Sequence, residues 1–153
     1  MEIYLLRHGI AADGYPDAQR ALTEEGKEKL RRVLRRCGAK PSLILTSPYR
    51  RAVETAEIAA EVLGYKEELE RAQALTPDGQ PSAVWEEIRA RRNEDAILLA
   101  SHEPLMSATV AYFLGSPGVD VEMKKAALVR IDVDRFGPHP LGVLKWMLVP
   151  SVC

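Results

Sequence analysis

Histidine, arginine and serine side chains occur together in three short segments of the chain: Arg7-His8-Gly9, Ser47-Pro48-Tyr49-Arg50-Arg51 and Ser101-His102. A neutral imidazole is a competent nucleophile near neutral pH, and guanidinium groups offer planar, charged donors that match phosphoryl oxygens. Together these residue types predict a phosphate pocket. In this pocket His8 attacks phosphorus and Arg7 holds the phosphate.

Each of the three segments follows a short apolar run that is typical of a buried strand. The carboxyl ends of parallel strands lie at one edge of an open α/β sheet, where ligands bind. Two of the segments also lead into helices, whose free N–H groups and dipole favour anions. In the second segment we expect Ser47 to cap the helix and Pro48 to occupy its first position. The three segments are therefore expected to share one site.

Strands and helices alternate along the chain, which ends in two strands. The patterns predict strands at about 2–6, 42–46, 96–100, 127–133 and 143–149, a short edge strand at 66–69, and helices after Thr23 and Ser47, around Val84 and after Pro104. This order predicts an α/β fold, a three-layer α/β/α sandwich with a mostly parallel central sheet and an antiparallel edge.

The composition narrows the class of protein. Because 46% of the 153 residues are hydrophobic, we expect a single domain over residues 1–153 with its own core. The formal net charge of −1 gives no electrostatic signal for nucleic acid or a membrane surface as a partner. No long apolar segment or signal peptide precedes Arg7, so a cytoplasmic protein is expected. Neither Cys37 nor Cys153 has a His or Cys neighbour at metal spacing, so both are expected to play no part in the site. No Asp/His cluster at metal spacing is visible either, so we expect a reaction without a metal or a cofactor.

Taken singly, these residues have simpler interpretations. A lone His102 is more often a hydrogen-bonded structural histidine. Arg50 has Glu54 four residues further on, so a solvated ion pair is its expected role. Arg51 is the freer of the two arginines to reach a ligand. A shared site is favoured because His8, Arg51 and His102 follow three separate buried strands.

Three motifs resemble those of the histidine phosphatase superfamily, the phosphoglycerate-mutase-like group: Leu6-Arg7-His8-Gly9, the stretch Ser47-Pro48-Tyr49-Arg50-Arg51-Ala52-Val53-Glu54-Thr55-Ala56, and Ser101-His102. A fourth stretch resembles a segment of the small SixA-type phosphohistidine phosphatases: Arg20-Ala21-Leu22-Thr23-Glu24-Glu25-Gly26. The motif spacing and the short chain are also similar to that branch. The resemblance covers most of the chain and implies a phosphoglycerate-mutase-like fold.

The resemblance also implies a role for each matched residue. The nucleophile that carries the phosphoryl group is expected to be His8. The oxygens of this phosphoryl group are expected to be bound by four side chains: Arg7, Arg20, Arg51 and His102. A backbone carbonyl near Gly9 is expected to orient the nucleophilic ring, and Ser47 to support the site. Outside the resemblance, Arg20 could be an ordinary loop charge, and His139 in Gly-Pro-His-Pro is expected to be a turn residue without a catalytic role.

Two departures from the family pattern bear on the substrate. His102 is followed by Glu103-Pro104 rather than by glycine, and this His-x-Pro version fits the SixA-type branch. In the region where larger phosphoesterases place an acid for the leaving alcohol, the chain offers only Asp78. A labile P–N bond needs less assistance from an acid. Phosphohistidine on a protein is therefore the expected substrate.

Two other functions stay open at this point. The chain could be a phosphomonoesterase for a small phosphorylated metabolite, or a module that binds phosphate without turnover. The intact set of His8, Arg7, Arg51 and His102 argues against binding alone. The expected function is hydrolysis of protein-borne phosphohistidine through a covalent intermediate on His8, without a metal.

Overall fold

The computed structural model describes residues 1–153. The strands are β1 (Glu2–Arg7), β2 (Leu43–Thr46), β3 (Glu70–Arg71), β4 (Ala96–Ser101), β5 (Leu128–Asp132) and β6 (Val143–Leu148). The α-helices are α1 (Glu24–Cys37), α2 (Arg50–Leu63), α3 (Pro81–Arg89) and α4 (Leu105–Phe113), and short 3-10 helices cover Asp17–Gln19, Gln73–Leu75 and Pro150–Val152. None of the helices combines the length and the apolar character that a membrane crossing requires.

All six strands join one sheet in the order β3-β2-β4-β1-β5-β6. The first four strands of this order are parallel to one another, whereas β5 runs antiparallel to both β1 and β6. The predicted mostly parallel sheet is therefore confirmed. The antiparallel strand, β5, is the second strand from the edge of the sheet, and β6 is the edge strand.

The sheet buries a hydrophobic core on each face. Along β1, Ile3 and Leu5 belong to the core that α3 and α4 cover. Tyr4 and Leu6 belong to the opposite core, which α1 and α2 cover. This alternation follows from the two-residue period of a strand. The helices thus form the outer layers of the predicted three-layer sandwich.

The register of the parallel strands brings the three chemistry-bearing segments together. Arg7 of β1 lies opposite Ser101 of β4, so the next residues, His8 and His102, leave neighbouring strands side by side. The His8 N–H donates to the Ser101 carbonyl at 2.9 Å and fixes this arrangement. On the other side of β4, β2 ends at the same level and is followed by Ser47.

The helix after β2 begins later than the sequence predicts. Its N-cap residue is Tyr49, so the prediction that Ser47 caps it is wrong. The Ser47 hydroxyl instead accepts the Tyr49 N–H at 3.2 Å and contacts the ring of His102, a partner from a distant part of the chain. By contrast, Thr23 caps α1 as predicted, because its hydroxyl accepts the Gly26 N–H at 3.0 Å.

The short edge strand also lies further along the chain than residues 66–69. β3 is only two residues long and pairs with the end of β2. Residues 66–69 have no regular secondary structure. The Glu68 carbonyl there accepts from the Tyr65 hydroxyl at 3.0 Å and not from a neighbouring strand.

Candidate active site

His8 and His102 lie side by side where β1 and β4 end. Their ring centroids are 5.1 Å apart, and both side chains are buried. Arg51, in the first turn of α2, is also buried, and its Nε–H donates to His8 Nε2 at 3.3 Å. The structure therefore brings these three residues together from three separate strand ends.

The hydrogen bonds of His8 define its tautomer. Arginine can only donate, so Nε2 of His8 accepts in its contact with Arg51 and carries a lone pair. The proton of the neutral ring then lies on Nδ1, which donates to the Gly9 carbonyl at 2.7 Å. The carbonyl lies where the resemblance places it, and Nε2 of His8 is left with the free lone pair of the ring.

The backbone of Gly9 is also held at its N–H, by Thr55 of α2. The Gly9 N–H donates to the Thr55 hydroxyl at 3.2 Å, and this hydroxyl donates to the Arg51 carbonyl at 2.7 Å. A Cβ at position 9 would lie 2.8 Å from Cδ1 of Leu30 and 3.1 Å from the Gly26 carbonyl oxygen, both in α1, so the close packing favours glycine. Packing against two helices therefore fixes the carbonyl that orients His8.

The guanidinium of Arg51 is held by Asp17, from the loop between β1 and α1. Nη1 of Arg51 donates to the Asp17 carbonyl at 2.9 Å, and Nη2 donates to Oδ2 of the Asp17 carboxylate at 3.2 Å. The other carboxylate oxygen accepts from Nη1 of Arg20 at 3.0 Å. Arg20 is thus linked to the site through Asp17 and makes no hydrogen bond with either histidine. Direct binding of phosphate by Arg20 stays a prediction.

His102 is positioned by Ser47 and Tyr49. Its Nε2 lies 2.8 Å from the Ser47 hydroxyl, and the Tyr49 ring packs edge-on against the imidazole with centroids 5.2 Å apart. Nδ1 of His102 is buried and has no hydrogen-bond partner in the protein. If the Ser47 hydroxyl donates to Nε2, the proton of the neutral ring lies on Nδ1 and can be donated to an oxyanion.

Arg7 is the last residue of β1 and is anchored from the segment before β5. Its Nη1 donates to the Met123 carbonyl at 2.8 Å. Its Nε is buried and, like Nδ1 of His102, has no partner in the protein. Because buried polar groups are nearly always hydrogen-bonded, these two unpartnered groups, one on the residue before His8 and one on the histidine beside it, are suited to a ligand.

Burial lowers the pKa of both histidines. The pKa of His8 falls to about 4, chiefly because the ring is removed from water; the Gly9 carbonyl opposes this shift, and the charges of Arg51 and Arg7 add to it. The pKa of His102 falls to about 3, again chiefly through burial. The charges of Arg51 and Arg7 also lower the pKa of both rings, but burial has the larger effect. Both rings are neutral at pH 7.

The remaining candidates lie outside this cluster. Asp78 is exposed and forms no hydrogen bond or ion pair. Arg50 forms the expected surface pair with Glu54 at 3.7 Å, and His139 is exposed. No group of three or more His, Cys, Asp or Glu side chains is arranged to hold a metal ion.

Sequence reasoning missed two residues that position the site, Thr55 and Asp17. Thr55 follows Arg51 by four residues on the same helix, and this spacing indicates that both side chains lie on one face of the helix. Asp17 lies in a polar loop without a periodic pattern, so its contact with Arg51 left no signal in the sequence.

Comparison with known proteins agrees with this geometry. A model of the histidine phosphatase superfamily (branch 1) matches residues 3–76, which include His8 and Arg51. An uncharacterized protein of Picosynechococcus sp. is 36% identical, over 97% of this chain and 99% of its own. The phosphohistidine phosphatase SixA of Escherichia coli (strain K12) is 30% identical, over 98% of this chain and 94% of its own.

The fold agrees with that of a solved relative. A structure of the protein histidine phosphatase SixA complexed with tungstate superposes with a TM-score of 0.87. The two sequences are 28% identical, and the superposition covers 99% of each chain. The chain therefore belongs to the histidine phosphatase superfamily, on its SixA-type branch, and is a phosphatase.

Proposed function

We propose that this phosphatase hydrolyses phosphohistidine carried by a protein, through a covalent intermediate on His8. The proposal is carried by the buried, neutral His8 ring, whose Nδ1 is held by the Gly9 carbonyl while Nε2 keeps its lone pair. The similarity to the phosphohistidine phosphatase SixA of Escherichia coli supports the choice of substrate.

In the first step, the Nε2 lone pair of His8 attacks phosphorus and the P–N bond of the substrate breaks. The electron pair of that bond goes to the departing imidazole nitrogen. A substrate ring that is protonated on its other nitrogen leaves as neutral imidazole, so the enzyme need not supply an acid. The exposed position of Asp78, which no partner holds, is consistent with this requirement.

Arg7, Arg51 and His102 bind the phosphoryl oxygens in this proposal. Nε of Arg7 and Nδ1 of His102 are buried donors without a protein partner. Arg51 exchanges its contact with His8 Nε2 for a phosphoryl oxygen, which frees the lone pair for attack. Donors that are already in place stabilise charge in the transition state without further reorganisation.

In the second step, water attacks phosphorus, the bond from phosphorus to Nε2 breaks, and inorganic phosphate leaves. The electron pair returns to Nε2 of His8. A ring with a pKa of about 4 is a weak base and therefore a good leaving group. This property favours hydrolysis of the intermediate over its storage.

The proposal is tested by comparing kcat/KM for a phosphohistidine-bearing protein with kcat/KM for sugar phosphates and nucleotides. We expect a strong preference for phosphohistidine, and the same rate with a chelator present. His8→Ala should abolish phosphate release, whereas the matched substitution His139→Ala, at an exposed histidine, should not.

Two other outcomes would contradict the proposal. A preference for phosphate esters that Asp78→Asn impairs would identify a small-metabolite phosphomonoesterase. Binding of phosphate without turnover of any substrate would identify a binding module.

A further inference from the structure

A groove lined by four cationic side chains adjoins the phosphate site. Its volume is about 540 Å³. It lies between the loop after β1, helix α1, the segment before β5 and the C-terminal segment. Its charged lining residues are Arg7, Lys29, Lys124 and Lys125. No carboxylate lines it, although the net charge of the whole chain is −1.

Nearby carboxylates cancel only part of this positive charge. Lys29 pairs with Glu25 at 3.1 Å, and Lys124 pairs with Glu122 at 2.8 Å, both in exposed positions where ion pairs are weak. Lys125 is exposed and forms no ion pair. The groove therefore keeps an excess of positive charge that an anionic partner can use.

The groove shares one residue, Arg7, with the proposed phosphate pocket. Arg7 lines it and directly precedes His8, so a ligand in the groove touches a residue of the proposed phosphate pocket. The charge of Lys125 also reaches the imidazole, because it contributes to the lowered pKa of His8. The groove thus lies where the part of a substrate next to its phosphoryl group would be placed.

The other side of Arg7 has the opposite charge. A second cavity of about 540 Å³ is lined by three carboxylates together with Arg7 and Lys124: Glu103, Asp120 and Glu122. A negatively charged part of a substrate is repelled from that side and attracted to the groove. The charge pattern therefore gives a bound substrate one orientation.

The apolar residues of the groove, Ile10, Val149 and Pro150, add contact surface between the cationic heads. A phosphoryl group alone would be satisfied by Arg7, Arg51 and His102. The groove extends beyond it and suits an extended segment with acidic side chains.

We propose that this cationic groove binds an acidic segment of the phosphorylated protein, next to its phosphohistidine. The inference rests on the proposed function and specifies its substrate class further. Electrostatic docking of this kind raises the association rate and weakens as salt screens the charges.

The test uses two synthetic peptides of equal length with one phosphohistidine each, flanked either by glutamates or by glutamines. The readout is the ratio of kcat/KM for the acidic peptide to kcat/KM for the neutral one. A substitution in the enzyme that changes the chemical step equally for both peptides leaves this ratio unchanged. For the unmodified enzyme we expect a ratio of about ten at about 0.01 M salt. We expect a ratio near one at about 1 M salt, where the Debye length is about 3 Å.

Charge reversal identifies the surface responsible. In the Lys29→Glu/Lys125→Glu variant, the ratio should fall below one at low salt, and a lysine-flanked peptide should become the preferred substrate. The matched variant Lys40→Glu/Lys66→Glu makes the same change of charge at two exposed lysines, beyond the C-terminal ends of α1 and α2, and should keep the original ratio.

Equal rates for the acidic and neutral peptides at low salt would overturn the docking inference and leave phosphohistidine hydrolysis intact. A preference that survives Lys29→Glu/Lys125→Glu would overturn it as well. If neither peptide is hydrolysed while phosphate esters are, the proposed function fails and the docking inference fails with it.

Discussion

Replacing Thr55 by valine tests how the nucleophile is oriented. The fully buried Thr55 hydroxyl accepts the Gly9 N–H, and the Gly9 carbonyl in turn holds Nδ1 of His8. Valine has nearly the same shape as threonine but cannot accept this bond. The Arg51 carbonyl, which also receives the Thr55 hydroxyl, keeps its place in the helix ladder of α2. Thr55→Val therefore leaves one buried N–H, that of Gly9, without a partner.

The structure sets the size of the expected effect. A buried donor without a partner costs about 1–3 kcal/mol. We expect the free energy of unfolding to fall by about this amount. If the backbone around Gly9 shifts so that this N–H finds another partner, the Gly9 carbonyl no longer holds the His8 ring, and each ~1.4 kcal/mol of lost orientation lowers kcat about tenfold. We expect kcat to fall by about tenfold or more, with a smaller change in KM.

Thr109→Val is the matched control, because Thr109 is also fully buried in a helix but its hydroxyl has no partner. Removing an unsatisfied hydroxyl should leave stability unchanged or slightly higher, and kcat unchanged. Urea unfolding and steady-state kinetics on the same preparations separate the two effects. Equal kcat values for Thr55→Val and Thr109→Val would refute the role of Thr55 in positioning His8.

Three further perturbations test the charges around the site. Asp17→Asn removes a negative charge next to Arg51 that would repel a bound phosphate. We expect inorganic phosphate to inhibit this variant about fivefold more strongly, because two unit charges about 4 Å apart in water interact by about 1 kcal/mol. Weaker inhibition would mean that the carboxylate holds Arg51 in its working position. In the folded chain the pKa of His8 is about 4 and that of His102 is about 3, whereas a histidine in the unfolded chain has a pKa of about 6.5. Below pH 6.5 the unfolded chain therefore binds more protons than the folded chain. The free energy of unfolding should therefore fall between pH 6.5 and 5 by up to about 1.4 kcal/mol per pH unit for each ring, and an unchanged urea midpoint over this range would contradict the burial argument. Ser47→Ala removes the group that sets the tautomer of His102 and should lower kcat/KM about tenfold at pH 7; a rate equal to that of the unmodified enzyme would assign Ser47 no part in positioning that ring.

The sequence was sufficient to predict which strand ends meet. Short apolar runs that end in polar residues identify parallel strands, and parallel strands place their carboxyl ends at one edge. The placement of His8 next to His102 follows directly from the pairing of Arg7 with Ser101. Thr23 also marks the start of α1 as predicted, because capping is a local effect.

Features that depend on tertiary contacts could not be predicted in this way. Ser47 has the local signature of a helix cap, but its hydroxyl is used by His102 from another strand. Asp17 contacts Arg51 from a loop that has no pattern of its own. The pKa of His8 is governed mainly by burial, which depends on how closely α1 and α2 pack over the loop after β1.

The central claim is that Nε2 of His8 carries the phosphoryl group, and rapid quenching tests it most directly. The enzyme is mixed with a phosphohistidine protein labelled in its phosphoryl group, quenched in alkali within milliseconds, and the labelled residue is identified by peptide mapping. We expect an alkali-stable, acid-labile phosphoryl group on His8, absent from His8→Ala and present in His139→Ala. Label on any other residue, or phosphate release by His8→Ala at the normal rate, would contradict it.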